Sequence, residues 1–337
     1  MDTDDDNLTT YNATLDYNWS HDNFYDHYGD SITQKTVITL FSIVFALGII
    51  GNGLVIWIAG FRMKNTISAM WFLHLAIADF LCCASLPLRI INWNVLYLNV
   101  SHCILNMFLF NLNMSSSVLL LTAMSIDRCV SVLWPIWAKV HRTCKLVRIS
   151  AAIIWGLSLI VAGLVFYVYG FHVGGIDEWC LFSFSINHYN PYLYQPIQMI
   201  RLVIMCVIPF LIIFTSYVTI FYKLRKSKRS LRSQRSSRII TAVILCFFIC
   251  WFPYYIWPLT GRDKLHDFQY YIVHTIVIIL AFVNSCMNPI IYVFMSPDFQ
   301  QGFFRSIPSR LERALGEHPN DLSREREDTG NTRTTDV

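Results

Sequence analysis

The sequence predicts an all-α membrane protein with seven transmembrane helices. Of its 337 residues, 55% are hydrophobic and 14% are charged, whereas a soluble domain carries about 25% charged residues. Nearly uncharged runs of about 20 residues, the length that crosses about 30 Å of hydrocarbon, occur seven times. These runs are continuously apolar and lack the alternation of an outer-membrane barrel, which favours helices. They lie near residues 36–60, 67–91, 103–133, 146–170, 197–224, 238–260 and 270–295.

The loops between these runs predict the orientation of the chain. "FRMKN", "AKVHRTCKLVR" and "YKLRKSKRSLRSQRSSR" are basic, which places them on the cytoplasmic side. The N-terminal tail, residues 1–35, is rich in Asp and therefore lies outside the cell. Glycosylation sequences of the form N-x-Ser/Thr, which are modified only on the outer side, support that orientation. They begin at Asn7, Asn12, Asn18 and Asn99.

Two of the ten cysteines lie on the oxidising side of the membrane in this topology. Cys103 begins the third helix, and Cys180 lies in the outer loop "GIDEWCLFS". Because disulfides form and persist outside the cell, we expect one disulfide between them. The alternative is a pair of outward-facing free thiols.

Residues after the seventh helix divide into two segments. In "SPDFQQGFFRSIPSR", Phe299 and Phe303 are four residues apart with polar residues between them. This spacing predicts a short amphipathic eighth helix on the inner leaflet, over residues 297–306, after a receptor domain of residues 36–296. The charged remainder, residues 307–337, is predicted to be disordered.

Short motifs occur in order along the predicted helices. They are "GNGLV" with Asn52, "LAIAD" with Asp79, "SIDRC" with Asp127 and Arg128, Trp155, Pro209 with Tyr217, "CWFPY" with Trp251, and "NPIIY" with Asn288, Pro289 and Tyr292. Together they resemble the rhodopsin-like (class A) G-protein-coupled receptors. The resemblance covers about residues 36–306 and implies a plasma-membrane receptor with its N-terminus outside.

The resemblance implies a switch at the cytoplasmic end of the third helix. Arg128 would be held by the neighbouring Asp127 in the silent receptor and would contact a G protein once the sixth helix moves outward. An ordinary helix-end ion pair would explain the two charges but not the companion motifs. The implied switch residues are Asp127, Arg128, Tyr217, Asn288, Pro289 and Tyr292.

The resemblance also implies a polar pocket in the middle of the bundle. In this family such a pocket can hold an allosteric sodium ion that stabilises the inactive state, and no other cofactor is implied. The alternative is a buried, neutral and hydrogen-bonded carboxylic acid. The implied residues are Asp79, Asn113, Ser117, Asn284 and Ser285.

Longer strings, including "SIDRCVSVLWPIWAKVHRT" and "NSCMNPIIYVFMSPDF", resemble the chemoattractant receptors for formyl peptides, complement anaphylatoxins and chemerin. The formyl-peptide branch is the most similar. The resemblance implies an extracellular peptide or small-protein ligand, G proteins of the inhibitory class, arrestin as a partner, leukocyte chemotaxis and inflammatory signalling. A lipid-mediator receptor similar to that for prostaglandin D2 and a non-signalling scavenger receptor are the alternatives.

The outer half departs from the formyl-peptide pattern. That branch has an acid in the third helix where this chain has Asn111, and two arginines in the fifth helix where this chain keeps only Arg201, with Ile197 in the other place. We predict that Arg201 binds the C-terminal carboxylate of a peptide, or an acid group of a lipid. The alternative is an arginine that snorkels to the outer interface. The predicted ligand pocket contains Arg201, Asn111, Trp251, Trp257 and His274.

Other classes of function fit the sequence poorly. A transporter or channel would show more intramembrane charges or paired helix interruptions. An intramembrane enzyme would need a nucleophile with a base, or metal ligands, and His74 and His274 have no metal-ligand partner at helical spacing. We therefore expect that the protein is not an enzyme, that it has no metal site and that it binds no nucleic acid. The C-terminal Thr335-Asp336-Val337 fits the pattern bound by PDZ domains.

Overall fold

Seven long helices make up most of the part of the protein that the structure describes. The computed structural model describes residues 31–62, 66–94, 100–168, 191–226, 231–260 and 267–295, and within these residues all regular structure is helical. Seven helices are long and apolar enough to cross a membrane, which confirms the predicted fold class. The eighth helix, the glycosylation sites, Cys180 and the C-terminal motif lie outside the described residues.

The helices are numbered α1 to α7 in chain order. α1 is Ser31–Trp57 and continues as a π-helical turn, Ile58–Arg62; α2 is Ile67–Ala84 followed by Leu86–Asn94; α3 is Val100–Leu133; and α4 is Cys144–Val168. α5 runs through Pro191–Leu202, a π-helical turn Val203–Val207 and Ile208–Lys226. α6 is Leu231–Ile256 with a 3-10 turn Trp257–Leu259, and α7 is Asp267–Met295. A short helix, Pro135–His141, lies between α3 and α4. We call the end of the bundle where α1 begins the outer end.

Local sequence sets the start and the interruption of α2. Thr66 is the N-cap, and its hydroxyl accepts a hydrogen bond from the Ala69 amide at 3.3 Å. Ser85 interrupts the helix because its hydroxyl donates to the Cys82 carbonyl at 2.7 Å and the following turn contains Pro87, which has no amide hydrogen. The outer part of α2 is therefore a separate short segment that carries Arg89.

α3 is the central helix of the bundle. It packs against α2, α4 and α5. In its most apolar stretch of 18 residues, 67% of the residues are buried, compared with 28% in the corresponding stretch of α4. α4 instead exposes an apolar stripe at intervals of three and four residues, which is the face a membrane helix presents to lipid. The stripe consists of Ile149, Ile153, Leu157, Ile160 and Leu164.

α1 approaches α2 and α7 closely at two glycines. A Cβ on Gly48 would lie 2.9 Å from the Cβ of Cys83 and in contact with its sulfur. A Cβ on Gly51 would lie 3.0 Å from the Cβ of Pro289. Small residues at these positions allow the close helix contacts that drive association in membranes.

α5 is linked to α6 at the turn where α5 changes from an α-helix to a π-helix. Pro209 lacks an amide hydrogen and cannot donate to the Met205 carbonyl four residues earlier. Met205 lies in the π-helical turn Val203–Val207, a common device for absorbing such an irregularity. The Tyr255 hydroxyl of α6 donates to the Met205 carbonyl at 3.4 Å. A side chain of α6 thereby supplies a donor that Pro209 cannot.

Candidate ligand and signalling sites

A polar network surrounds Asp79 in the middle of the bundle. Asp79 is fully buried, and its two carboxyl oxygens accept hydrogen bonds from two different helices. Asn113 Nδ2 of α3 donates to Oδ1 at 2.9 Å, and Asn288 Nδ2 of α7 donates to Oδ2 at 2.7 Å. Both carboxyl oxygens of Asp79 therefore act as hydrogen-bond acceptors.

The network extends from Asp79 to α1. Ser285 Oγ donates to Asn113 Oδ1 at 3.5 Å, and Asn113 Nδ2 also reaches Ser117 Oγ at 3.4 Å. Asn52 Nδ2 of α1 donates to the Ser285 carbonyl at 2.8 Å. Side chains from α1, α2, α3 and α7 therefore meet in one hydrogen-bonded cluster.

Several buried amide oxygens of α1 and α7 have no hydrogen-bond donor among the described residues. Asn284 is fully buried, and neither its amide oxygen nor its amide nitrogen has a hydrogen-bond partner among the described residues. Among the described residues, the Oδ1 atoms of Asn52 and Asn288 also have no hydrogen-bond donor. Buried polar atoms of this kind normally bind water or an ion. Carboxylate, amide and hydroxyl oxygens are the ligands that a hard cation prefers.

Arg201 lies nearer the outer end, between α3, α5 and α6. Its Nη2 donates to Asn111 Oδ1 at 3.1 Å, and its Nη1 donates to Gln198 Oε1 at 3.3 Å. Its Cζ lies 5.7 Å from the centroid of the Tyr254 ring, within cation–π range. Asn111 is itself fixed, because its Nδ2 donates to the Met107 carbonyl at 2.8 Å. These contacts hold the guanidinium inside the bundle, which argues against the snorkelling alternative.

Trp251 forms part of an aromatic cluster inward of Arg201. Its side chain is 1% exposed. The Trp251 ring centroid lies 5.1 Å from that of Phe110 and 5.7 Å from that of Tyr254. Since Tyr254 also contacts Arg201, Trp251 is one side chain away from the arginine.

The inner end of α3 differs from the expected switch. Asp127 accepts two hydrogen bonds from Arg142, at 2.6 Å from Nε and 2.5 Å from Nη2. Arg128 instead donates to the Ser68 hydroxyl of α2 at 2.5 Å. The direct contact expected between Asp127 and Arg128 is thus replaced by a bidentate pair with Arg142, whose planar guanidinium matches the carboxylate.

A short helix positions Arg142 for this contact. Pro135 occupies the first turn of the helix Pro135–His141, where its missing amide hydrogen costs no helical bond. The Arg142 amide closes the helix by donating to the Ala138 carbonyl at 3.0 Å. The loop between α3 and α4 therefore delivers the partner of Asp127.

Comparisons with known proteins identify the family to which the chain belongs. The family model described as "7 transmembrane receptor (rhodopsin family)" matches residues 51–292. "N-formyl peptide receptor 2" of Homo sapiens is 35% identical over 315 residues, which are 87% of this chain and 89% of the relative. The chain belongs to the rhodopsin family of seven-transmembrane receptors. Within this family it lies in the formyl-peptide-receptor branch, since "Formyl peptide receptor 2" of Mus musculus is 34% identical over 91% of this chain and 92% of that receptor. "N-formyl peptide receptor 3" of Macaca mulatta is 35% identical over 89% and 91% of the respective chains.

Membership of this receptor family makes the chain a multi-pass membrane receptor and not an enzyme. The structure brings together Asp79, Asn113, Ser117 and Ser285 as expected, whereas no hydrogen bond joins the buried Asn284 of α7 to them. Asn288, which the resemblance places in the switch, donates a hydrogen bond to Asp79, and its role in the switch stays a prediction. Tyr217 lies close enough to Arg128 for the two side chains to interact electrostatically.

Of the remaining predicted site residues, some lie inside the described part of the structure and some lie outside it. Trp257 begins the 3-10 turn that ends α6. His274 of α7 interacts electrostatically with Arg89 of α2. Cys103 is disulfide-bonded; its expected partner Cys180 and the side chain of Tyr292 lie outside the described part, so both assignments stay predictions.

Sequence reasoning missed several contacts of this receptor. Ser68 and Arg142 carry no motif, and their partners are set by how the loop and α2 fold against α3. Arg89 could have been found, because it is a full charge in the outer part of a predicted membrane helix. Gln198 could also have been found, since it precedes Arg201 by three residues on the same helix.

Proposed function

We propose that this receptor resides in the plasma membrane with its N-terminus outside. In this proposal it binds an extracellular peptide or small protein and activates inhibitory-class G proteins to drive leukocyte chemotaxis and inflammatory signalling. The names of the relatives support a peptide ligand, and the basic inner loops support the orientation. The observation that carries the ligand assignment is the position of Arg201 between Asn111 and Gln198.

Arg201 suits the C-terminal carboxylate of a peptide. Its shown hydrogen-bond partners are neutral amide oxygens and the Met114 sulfur, so these contacts orient the guanidinium without cancelling its charge. A carboxylate can form two parallel hydrogen bonds to a guanidinium, which gives direction as well as affinity. Asn111 stands where related receptors carry an acid, and we infer that this neutral residue orients the guanidinium toward an anionic ligand.

The carboxylate assignment is tested with matched peptides. A screen of chemotactic peptides, anaphylatoxin fragments and chemerin-like fragments, with inhibition of cyclic AMP as the measurement, supplies an active peptide. Arg201→Ala should weaken its binding by ~1.5–3 kcal/mol, the range for hydrogen bonds to charged groups. The same peptide amidated at its C-terminus should bind both receptors almost equally. Equal losses for the two peptides would show that Arg201 does not bind the carboxylate.

Coupling is tested at the inner end of α3. We expect purified receptor to stimulate nucleotide exchange on an inhibitory-class G protein and expect Arg128→Ala to abolish that stimulation while ligand binding persists. A scavenger would bind ligand without exchange in both forms. Full stimulation by the Arg128→Ala receptor would remove Arg128 from the switch.

We further propose that the Asp79 cluster holds a sodium ion. The residues that would hold it are the five that the resemblance implies, Asp79, Asn113, Ser117, Asn284 and Ser285, and we add Asn288 because it donates to Asp79 Oδ2. The ion would supply a positive charge beside a buried carboxylate, which otherwise carries a large desolvation cost. The support is the set of buried oxygens without a donor in the described part of the chain.

Partners of the cytoplasmic tail are a separate proposal. We infer that arrestin binds the tail after its Ser and Thr residues are phosphorylated, and that Thr335-Asp336-Val337 adds as a strand to a PDZ domain. A tail peptide should lose PDZ binding when its terminal carboxylate is amidated, because that domain captures a free C-terminus.

A further inference from the structure

The short helix between α3 and α4 carries an exposed apolar face. In this helix, Pro135–His141, the side chain of Ala138 is buried and marks the side that faces the bundle. Ile136 and Val140 each lie two residues from Ala138, which corresponds to about 200° around the helix, so both point away from the bundle. They are 84% and 69% exposed. We call Ile136 and Val140 the loop face.

Two tryptophans border the loop face. Trp134 directly precedes the short helix and Trp137 lies on it, and both are more than half exposed. The Trp137 ring stacks on the His141 ring, with centroids 4.5 Å apart and planes 10° apart, so a neighbour on the same helix fixes its position. Exposed tryptophans beside the end of a membrane-spanning helix are typical of the level of the lipid headgroups.

α4 continues this apolar surface into the membrane. Leu146 and Ile149 near its start are about half exposed, and Ile149 begins the apolar stripe that α4 presents to lipid. Only residues 134–143 lie between the end of α3 at Leu133 and the start of α4 at Cys144. Because so short a loop cannot extend far from the two spans, the loop face stays close to the edge of the bilayer.

The charged side chains exposed beside the loop face are all positive. Lys139 lies on the short helix, Lys145 and Arg148 lie near the start of α4, and all three are exposed. Residues 129–150 contain no Asp or Glu. Lys and Arg clustered at the cytoplasmic end of a membrane-spanning helix attract the anionic lipids of the inner leaflet. The charge of this surface is therefore complementary to that leaflet.

We propose that the loop face and these three cations form a binding surface for anionic phospholipids of the inner leaflet. The loop face enters the boundary of the hydrocarbon, the two tryptophan rings lie among the headgroups, and Lys139, Lys145 and Arg148 bind the anionic groups of the lipids. The inference goes beyond the proposed function and rests on it only for the orientation, which places this loop on the cytoplasmic side.

The surface favours lipid over a protein partner for a physical reason. Its apolar residues are continuous with a stripe of α4 that already faces lipid, so the surrounding bilayer can bury both. Apolar burial and attraction of cations to an anionic surface act together when an amphipathic helix binds a membrane. The short helix is followed by Arg142, which binds Asp127, so the bilayer also holds the segment that carries this ion pair.

The inference is tested by hydrogen–deuterium exchange of the full-length receptor in lipid nanodiscs. One nanodisc contains phosphatidylcholine, and the other contains phosphatidylcholine mixed with phosphatidylserine. The measurement is the exchange rate of the backbone amides of residues 136–142, because a ligand that binds the short helix slows its local opening. Both leaflets of a nanodisc have the same composition, so the result does not depend on the orientation of the receptor in cells.

Charge variants test the role of the three cations. We expect phosphatidylserine to slow exchange in the wild type about fivefold, the effect of one Lys or Arg near an anionic surface. Replacing Lys139, Lys145 and Arg148 together with Gln should remove the slowing, and Lys139→Arg/Lys145→Arg should keep it. Lys223→Gln is the matched control, because Lys223 is an exposed cation near the end of α5. It should also keep the slowing.

An apolar variant tests the loop face itself. Ile136→Ser/Val140→Ser should raise the exchange rate in both nanodiscs, because the hydrocarbon no longer stabilises the short helix. Ser has about the same helix propensity as Ile and Val, so a loop face that lies in water would leave the exchange rate unchanged. An unchanged rate would overturn the inference.

Two further results would overturn the inference. One is equal exchange of the wild type in the two nanodiscs. The other is slowing that appears only when G protein is added, equally in both lipids, which would assign the loop face to the G protein. The orientation is tested separately with an antibody to an N-terminal tag on intact cells. A tag that is accessible only after permeabilisation would contradict the proposed orientation and leave the nanodisc result standing.

Discussion

At the scale of single residues, Gly48 sets the distance between α1 and α2. An added methyl group there would meet both Cβ and sulfur of Cys83, and Cys83 is itself completely buried. We expect Gly48→Ala to lower the stability of the receptor by ~1–3 kcal/mol, the usual cost of overpacking a core. The midpoint of thermal unfolding in nanodiscs measures the effect.

Gly163 of α4 provides the matched control for Gly48. A Cβ there has no atom within 4 Å, so Gly163→Ala should be neutral or stabilising by up to about 1 kcal/mol through helix propensity. An equal loss of stability in both variants would mean that replacing a helical glycine is itself destabilising. The close approach of α1 to α2 would then not explain the result.

At the scale of elements, one side-chain hydrogen bond connects the irregular turn of α5 to α6. Tyr255→Phe removes the donor to the Met205 carbonyl and keeps the ring. We expect a loss of about 0.5–1.5 kcal/mol, the net value of a typical buried hydrogen bond, measured as a lower midpoint of thermal unfolding.

Tyr254→Phe is the control for this bond. The Tyr254 ring, which contacts Arg201, remains in this variant. The described part of the structure shows no hydrogen bond from the Tyr254 hydroxyl. We expect a change below about 0.5 kcal/mol. Should the two variants behave alike, the contact between Tyr255 and Met205 would have no measurable role in holding α5 to α6.

The helices themselves could be predicted from the sequence because the membrane requires long apolar runs whose backbone groups bond within one segment. The predicted runs and the observed spans differ by a few residues at their ends. The π-helical turn of α5 was not predicted, although Pro209 was noted, since a proline indicates an irregularity and not its form.

Side-chain partners were predictable to different degrees. Motifs indicated that Asp79 and Asn113 share a pocket, and the structure joins them. Adjacency in sequence suggested that Asp127 pairs with Arg128, but neighbouring residues point to different sides of a helix. Asp127 therefore faces the loop that carries Arg142, while Arg128 faces α2. Such choices depend on tertiary structure and leave no local pattern.

At the scale of the whole molecule, the Asp79 cluster joins four helices, so occupancy by an ion should change global stability. We expect the wild type to unfold at a higher temperature in sodium chloride than in potassium chloride at equal concentration, because a ligand that binds the folded state stabilises it. Asp79→Asn should remove the difference. The measurement is thermal unfolding in nanodiscs in the two salts.

Ser125→Ala controls for general effects of altering a buried polar residue. Ser125 is fully buried on α3, and its hydroxyl donates within its own helix to the Leu121 carbonyl at 2.8 Å. This variant should keep the sodium response. A sodium response that survives Asp79→Asn would place the ion elsewhere in the protein.

The bidentate pair between Asp127 and Arg142 bears on how quiet the receptor is without an agonist. With its acidic neighbour engaged by the loop, Arg128 is held at the inner end by the uncharged Ser68 hydroxyl, and a hydrogen bond of this kind contributes about 1.5–3 kcal/mol at most. Such a contact, made to a neutral partner, supports the silent conformation less than the charged pair that was expected. We therefore expect constitutive nucleotide exchange above the rate of the G protein alone, and a compound that favours the closed inner end should act as an inverse agonist.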